Sequence, residues 1–188
     1  MVKTNINLFA EGEVVYTDGG VLAEFAWVLV VLPFIAALII TFAGKSLPLK
    51  GAEIALGTIG IIFIYSLALM YLHVTEGVAN EFFINVGNIG QFDIEFGWVV
   101  DGLSIMMYFV VGLVALLVFI YATNYMEGEI RYTFFFTSLT LFAGSMLVLV
   151  SSPTLIQILI GWELVGVCSY LLIGCLLYTS PSPRDKTV

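Results

Sequence analysis

The chain has 188 residues, 61% of them hydrophobic and 11% charged, with a formal net charge of −8 at pH 7. A soluble domain carries roughly 45–50% apolar and about 25% charged residues, so this balance excludes an ordinary soluble domain. The acidic surplus gives no hint of nucleic-acid binding, which would need a basic surface.

The chain reads as an all-α integral membrane protein. Lipid offers no hydrogen-bonding partner, so spanning segments must be helices or a closed barrel. The apolar runs are long and continuous, whereas barrel strands are short and alternate. About 20 apolar residues cross a bilayer. Five segments meet that length: Phe25–Ala43, Ala52–Leu72, Leu103–Tyr121, Thr133–Val150 and Thr154–Leu177.

In chain order, residues 1–20 form a polar N-terminal segment. They lack the basic start and apolar centre of a cleavable signal, although the first span could serve as an uncleaved signal-anchor. Glu24 reads as an interfacial charge just before that span. Lys45 and Lys50 lie between spans one and two, and Arg131 lies between spans three and four. Basic residues in short loops mark the cytoplasmic or matrix face, so these two loops are expected there. Glu127, Glu129 and Arg131 read as a solvated turn on that face.

The 73–102 connection belongs to the opposite face. It carries Glu76, Glu81, Asp93, Glu95 and Asp101 and no lysine or arginine. Phe82, Ile84 and Val86 alternate with Phe83 and Asn85, and Phe92, Ile94 and Phe96 alternate with Asp93 and Glu95. Gly87-Asn88-Ile89-Gly90 supplies turn chemistry between them, so a β-hairpin is predicted. It is either a local lid over helix ends or an edge for a neighbouring subunit. His73, the only histidine, reads as an interfacial polar residue, with a proton-entry role as the alternative. Asp101 is expected to cap the helix that follows.

The last span holds the candidate site. Glu163 lies near its middle, where a charge costs roughly 2.5–3.5 kcal/mol on insertion scales. One reading is a protonated, hydrogen-bonded carboxylate that holds helices together. The other is a group that takes up and releases protons beside a cationic partner. No lysine or arginine occurs within any of the five spans, so such a partner must come from elsewhere. Gly161, Gly166 and Gly174 punctuate the span, and small residues let helices approach closely. Gly166 lies one turn from Glu163, so the carboxylate is expected to face a neighbouring helix or a hydrated gap. Trp162 reads as packing or as a wall beside a hydrated path. Ser169 and Tyr170 are candidate donors across helices. Cys168 and Cys175 do not form a metal-ligand or disulfide pattern, and no nucleotide-binding motif follows a strand.

Several runs then occur in order: Val100-Asp101-Gly102-Leu103-Ser104, Tyr121-Ala122-Thr123-Asn124-Tyr125-Met126, Phe134-Phe135, and Gly161-Trp162-Glu163 through Gly174. Over roughly Phe25 to Gly174 the chain resembles the N-terminal part of the large antiporter-like membrane subunit of respiratory complex I. That subunit is called L in bacteria and chain 5 in mitochondria. It is also similar to the large subunit of multisubunit cation/proton antiporters. The family usually has proline where Gly102 stands and glycine where Asn124 stands, both loop positions. The resemblance implies a proton-translocating membrane subunit of a NADH:quinone oxidoreductase. NADH, FMN, iron–sulfur clusters and quinone would then belong to partner subunits. Glu163 matches a glutamate that pairs with an intramembrane lysine on a later helix, absent from this chain.

The partners implied are other membrane subunits of complex I and the lipid bilayer. The membrane implied is a bacterial plasma membrane, or else a mitochondrial inner membrane. Two alternatives stay open, a Na⁺/H⁺ antiporter subunit and a non-transporting membrane scaffold or assembly protein. Residues 21–175 form the transmembrane domain on this reading. Residues 176–188 turn abruptly to Ser/Pro and charge, as in a disordered tail or a spurious ending of a conceptual translation. The residues before Gly20 also fit the family poorly.

Overall fold

The computed structural model describes residues 20–89, 92–129 and 131–177. Expectations placed on residues 1–19 and 178–188 lie outside them. The elements run α1 (Gly20–Glu24), α2 (Trp27–Ala43), a 3₁₀ turn (Gly44–Ser46), α3 (Ala52–Glu76), β1 (Asn80–Ile89), β2 (Phe92–Val100), α4 (Gly102–Tyr125), α5 (Tyr132–Ser151) and α6 (Leu155–Leu177). Five of the helices are long and apolar enough to cross a membrane. They coincide with the five predicted spans, with no end shifted by more than four residues; Gly102 and Asn124, expected in loops, lie within α4 because that helix runs further at both ends. The first begins at Trp27, two residues later than expected, after the short α1.

Helix α5 is the centre of the bundle. It packs against α2 and α6 most extensively, and touches α3 and α4. More than half of its membrane window is buried, against a third or less for every other span. Its buried face is built from Phe135, Phe136, Leu139 and Leu147 together with Thr137, Ser138, Thr140, Ala143, Gly144 and Ser145. The hydroxyls solve their own hydrogen bonding. Thr137, Ser138, Thr140 and Ser145 each donate to the carbonyl four residues earlier, at 2.7–3.0 Å. No polar group on this face then needs a partner from a neighbouring helix, and short side chains let backbones approach.

The α5–α6 contact shows how close that approach is. A Cβ added at Gly161 would lie 3.0 Å from the backbone nitrogen and Cα of Leu149. The buried residues of α6, Gln157, Gly161, Cys168 and Cys175, share that face, and the Cys168 thiol lies 3.8 Å from the Ser145 hydroxyl. Gly166 and Gly174 point elsewhere, and a Cβ at either meets open space. Of the three glycines singled out from sequence, only Gly161 packs against another element among the described residues.

The predicted hairpin is present, with a longer reach than expected. β1 and β2 pair antiparallel from Asn80↔Val100 to Ile89↔Phe92, with a register shift between Asn85 and Gly87. The turn expected at 87–90 is therefore corrected: Gly87, Asn88 and Ile89 are paired strand residues. The connection falls on residues 90 and 91, outside the described set. One extra residue on β1 makes a bulge that absorbs the glycine-rich stretch into the ladder.

The two glycines give a paired test. Gly161→Val should push α5 and α6 apart and cost about 1–3 kcal/mol, as overpacking does. Gly166→Val should leave the stability of this chain unchanged within ~0.5 kcal/mol. Unfolding of both variants in detergent, followed by circular dichroism, checks the difference.

Candidate functional site

Glu163 is the ninth residue of the 23-residue α6, close to the middle of the helix. The face of α6 that meets α5 is centred on Gly161 and Cys168. At 100° per residue Glu163 lies about 200° around the helix from Gly161, on the opposite side. Its side chain is exposed, as are Trp162, Gly166, Val167 and Tyr170 around it. None of α2 to α5 covers this face. Trp162, expected mainly as packing, is 69% exposed. With Leu155, Ile156, Ile158 and Leu159 it lines an apolar surface hollow of about 350 Å³ on α6. Ser169 is half-buried. The sequence expectation that Glu163 and Gly166 share a side is met, and that side is turned away from the other described helices.

The start of α6 carries a residue that the sequence reading passed over. Gln157 is buried, and its side-chain amide makes two hydrogen bonds to one residue of β2. The Gly97 N–H donates to Gln157 Oε1 at 2.9 Å, and Gln157 Nε2 donates to the Gly97 carbonyl at 2.8 Å. The amide thus stands where a third strand would pair. Beside it, the Thr154 hydroxyl donates to the Glu95 carbonyl at 3.1 Å. A Cβ at Gly97 would collide with the Phe82 carbonyl oxygen at 1.9 Å, so only glycine fits this crossing. On the strand beside it, Trp98 stacks on Phe82 at 4.4 Å between ring centroids. The signal was present in the sequence: a lone glutamine within an apolar span.

The hairpin is tied to α4 as well. The buried Tyr108 hydroxyl donates to the Val99 carbonyl at 3.2 Å. Because Gly97 and Val99 turn their polar groups away from β1, their partners Phe83 and Glu81 turn theirs away from β2. The outer edge of β2 is therefore sealed by helices, and the outer edge of β1 faces away from them. The expected cap is in place: Asp101 Oδ1 accepts from the Ser104 N–H at 2.7 Å and from the Ser104 hydroxyl. His73 sits in the last turn of α3 and donates from Nδ1 to the Val78 carbonyl at 2.7 Å. Its Nε2 would lie 2.9 Å from a Cβ at position 102, so the ring packs closely over Gly102. Among the described residues no group of three or more His, Cys, Asp or Glu could hold a metal ion.

Two outcomes follow. Burial, and then the nearby negative charge of Asp101, push the Glu81 carboxyl above the usual carboxylate range. A raised native value means that the folded hairpin holds its proton to higher pH than the unfolded chain. Stability is then greatest below the unfolded carboxylate value of about 4.3 and falls as pH rises through the native one. Glu81→Gln should remove that fall, seen as slower hydrogen exchange of the hairpin amides at neutral pH. Gln157→Leu strips two partners from Gly97 at once. It should cost about 1–3 kcal/mol per group left unpaired, read as lost amide protection in β2 with α4 and α5 unaffected.

Comparison with known proteins agrees with the resemblance. Residues 87–136 match the family described as NADH-Ubiquinone oxidoreductase (complex I), chain 5 N-terminus. The chain is 37% identical over 169 residues to NAD(P)H-quinone oxidoreductase subunit 5, chloroplastic, of Chlorokybus atmophyticus, covering 86% of this chain and 26% of that protein. It is 39% identical over 160 residues to NAD(P)H-quinone oxidoreductase chain 5 of Synechocystis sp., covering 81% of this chain and 24% of that protein. The match to the organellar chromatophore subunit 5 of Paulinella chromatophora is 36% over 158 residues, covering 80% and 24%. The chain spans about a quarter of the length of the curated relatives it matches. By these matches the chain belongs to the complex I chain 5 family, and it carries the N-terminal region of that family's membrane subunit.

Proposed function

We propose that this chain is part of a proton-translocating membrane subunit of a NAD(P)H:quinone oxidoreductase, in which Glu163 takes part in moving the proton. The observation that carries this reading is the position of Glu163. A carboxylate near the middle of a spanning helix is costly in lipid. Here it stands on the side of α6 opposite α5, so its use lies with groups beyond α2 to α5. A cationic side chain on a further helix would favour the charged form, and its withdrawal would favour proton uptake. Alternation between the two turns an electrostatic change elsewhere into a proton step.

NADH, FMN, iron–sulfur clusters and quinone are assigned to partner subunits. The neighbouring membrane subunits are the chain's partners on this reading. The outer edge of β1, with Phe82, Phe83 and Ile84 exposed, is where one of them would pair or pack. The loops of Lys45, Lys50 and Arg131 would face the cytoplasm or its organellar equivalent, and the acidic hairpin the other side.

The test is Glu163→Gln, placed in the full-length subunit within the assembled complex. Assembly and NADH oxidation by an artificial acceptor should be retained. Proton uptake into vesicles per NADH oxidised by quinone should fall severalfold. An unchanged proton-to-electron ratio would remove Glu163 from the mechanism.

A further inference from the structure

A second feature lies at the other end of the bundle from the hairpin, in the loop between α2 and α3. Lys50 adopts φ 51°, the left-handed region, and is the one described residue other than glycine to do so. Glycine or asparagine would sit there with less strain. The loop is nevertheless held firmly. The Lys50 N–H donates to the Leu47 carbonyl at 3.0 Å, and the Lys50 carbonyl accepts from the Thr133 hydroxyl of α5 at 3.0 Å. Glu53, the nearest acid in sequence, is engaged by the Leu49 N–H at 3.0 Å. Lys45 and Lys50 are both exposed, and neither forms an ion pair among the described residues. A Cβ at Gly44 would lie 3.4 Å from the Lys50 carbonyl oxygen. The two lysine Cα atoms therefore stand within about 11 Å of one another.

An apolar track leads to these two cations. Val31, Ile35, Leu38 and Phe42 follow one another at four- and three-residue spacing along α2, and all are exposed, Phe42 to 86%. At 1.5 Å per residue they form a stripe about 16 Å long, comparable with an acyl chain, that ends at the lysines. Leu49, also exposed, lies on the loop itself. We infer that Lys45 and Lys50 bind the headgroup phosphate of an anionic phospholipid whose acyl chains lie along the Val31–Phe42 stripe of α2. Charge complementarity selects the headgroup, and the adjoining apolar stripe selects a lipid over a soluble anion. The left-handed Lys50 is explained as well: the strain keeps a cation at a place where an uncharged residue would be easier to hold. The inference is independent of any role for Glu163.

The experiment is native mass spectrometry of the purified full chain in detergent, titrated with equimolar phosphatidylglycerol and phosphatidylcholine. The first lipid retained should be phosphatidylglycerol by about thirtyfold, the attraction expected of two basic residues at an anionic surface. Lys45→Gln combined with Lys50→Gln should bring the ratio close to one. Lys50→Asn relieves the strained backbone while removing one charge. It should melt no lower than the parent and lose about fivefold of the preference. Excess inorganic phosphate should not displace the lipid. A parent chain that retains both lipids equally, a Lys50→Asn variant with its preference intact, or displacement by inorganic phosphate would each overturn the inference.

Discussion

Lipid gives a buried polar group nothing to bond to, and the architecture of this chain follows from how that demand is met on α5. Thr137, Ser138, Thr140, Ala143, Gly144 and Ser145 on its buried face are hydroxylic or smaller than valine, a composition that would weaken a core helix in water. Here the hydroxyls turn back onto carbonyls of their own helix, so the face is both short and electrically closed. Two neighbours can then pack at once, α2 on one side and α6 on the other. The close approach at Gly161 is the consequence on α6. The position of Glu163 is a further consequence, since fixing one side of a helix fixes the other.

The hairpin obeys the same demand by a different route. A two-stranded sheet standing alone is marginal and has two unpaired edges. One of them is closed by Gln157, whose amide presents a donor and an acceptor to Gly97 in the manner of a neighbouring strand, with Thr154 adding a bond to Glu95. Tyr108 of α4 supplies the support at Val99. The hairpin is thus fastened to the first turns of α6 and to α4. Pairing of a partner along β1 would not compete with the hairpin's attachment to α4 and α6, because it would use the other edge.

Much of this was legible in the sequence, for reasons that differ by element. The spans were readable because bilayer thickness sets a minimum length for an apolar run, and only their ends moved. The Asp101 cap was readable because a carboxylate just before a helix has one common use, and Ser104 donates to it from its N–H and its hydroxyl. The hairpin was readable in kind from its alternation, but its turn was placed too early. A bulge let Gly87 and Asn88 enter the ladder, and turn-forming residues do not announce that they will be paired. Helix orientation was the least legible property. α6 is apolar on nearly every side, so periodicity could not say that Gly161 faces α5 while Gly166 faces away. Gln157 was visible as an oddity and its partner was not, since a bond 60 residues distant in sequence has no local sign.

The division of α6 into two sides bears on what Glu163 can do. A carboxylate whose use was to hold α6 against α5 would sit on the side of Gly161 and Cys168, where α5 is within reach. Glu163 stands instead beside Gly166 and Tyr170, with Gly174 about three turns further along, on a side whose two glycines would admit another backbone. The chain therefore places its one mid-membrane charge where only a group from outside these helices can answer it. The opposite side is closely packed at Gly161 and anchored through Gln157. On the proposed reading, a carboxylate answered from a second element is in the position that a switchable ion pair requires.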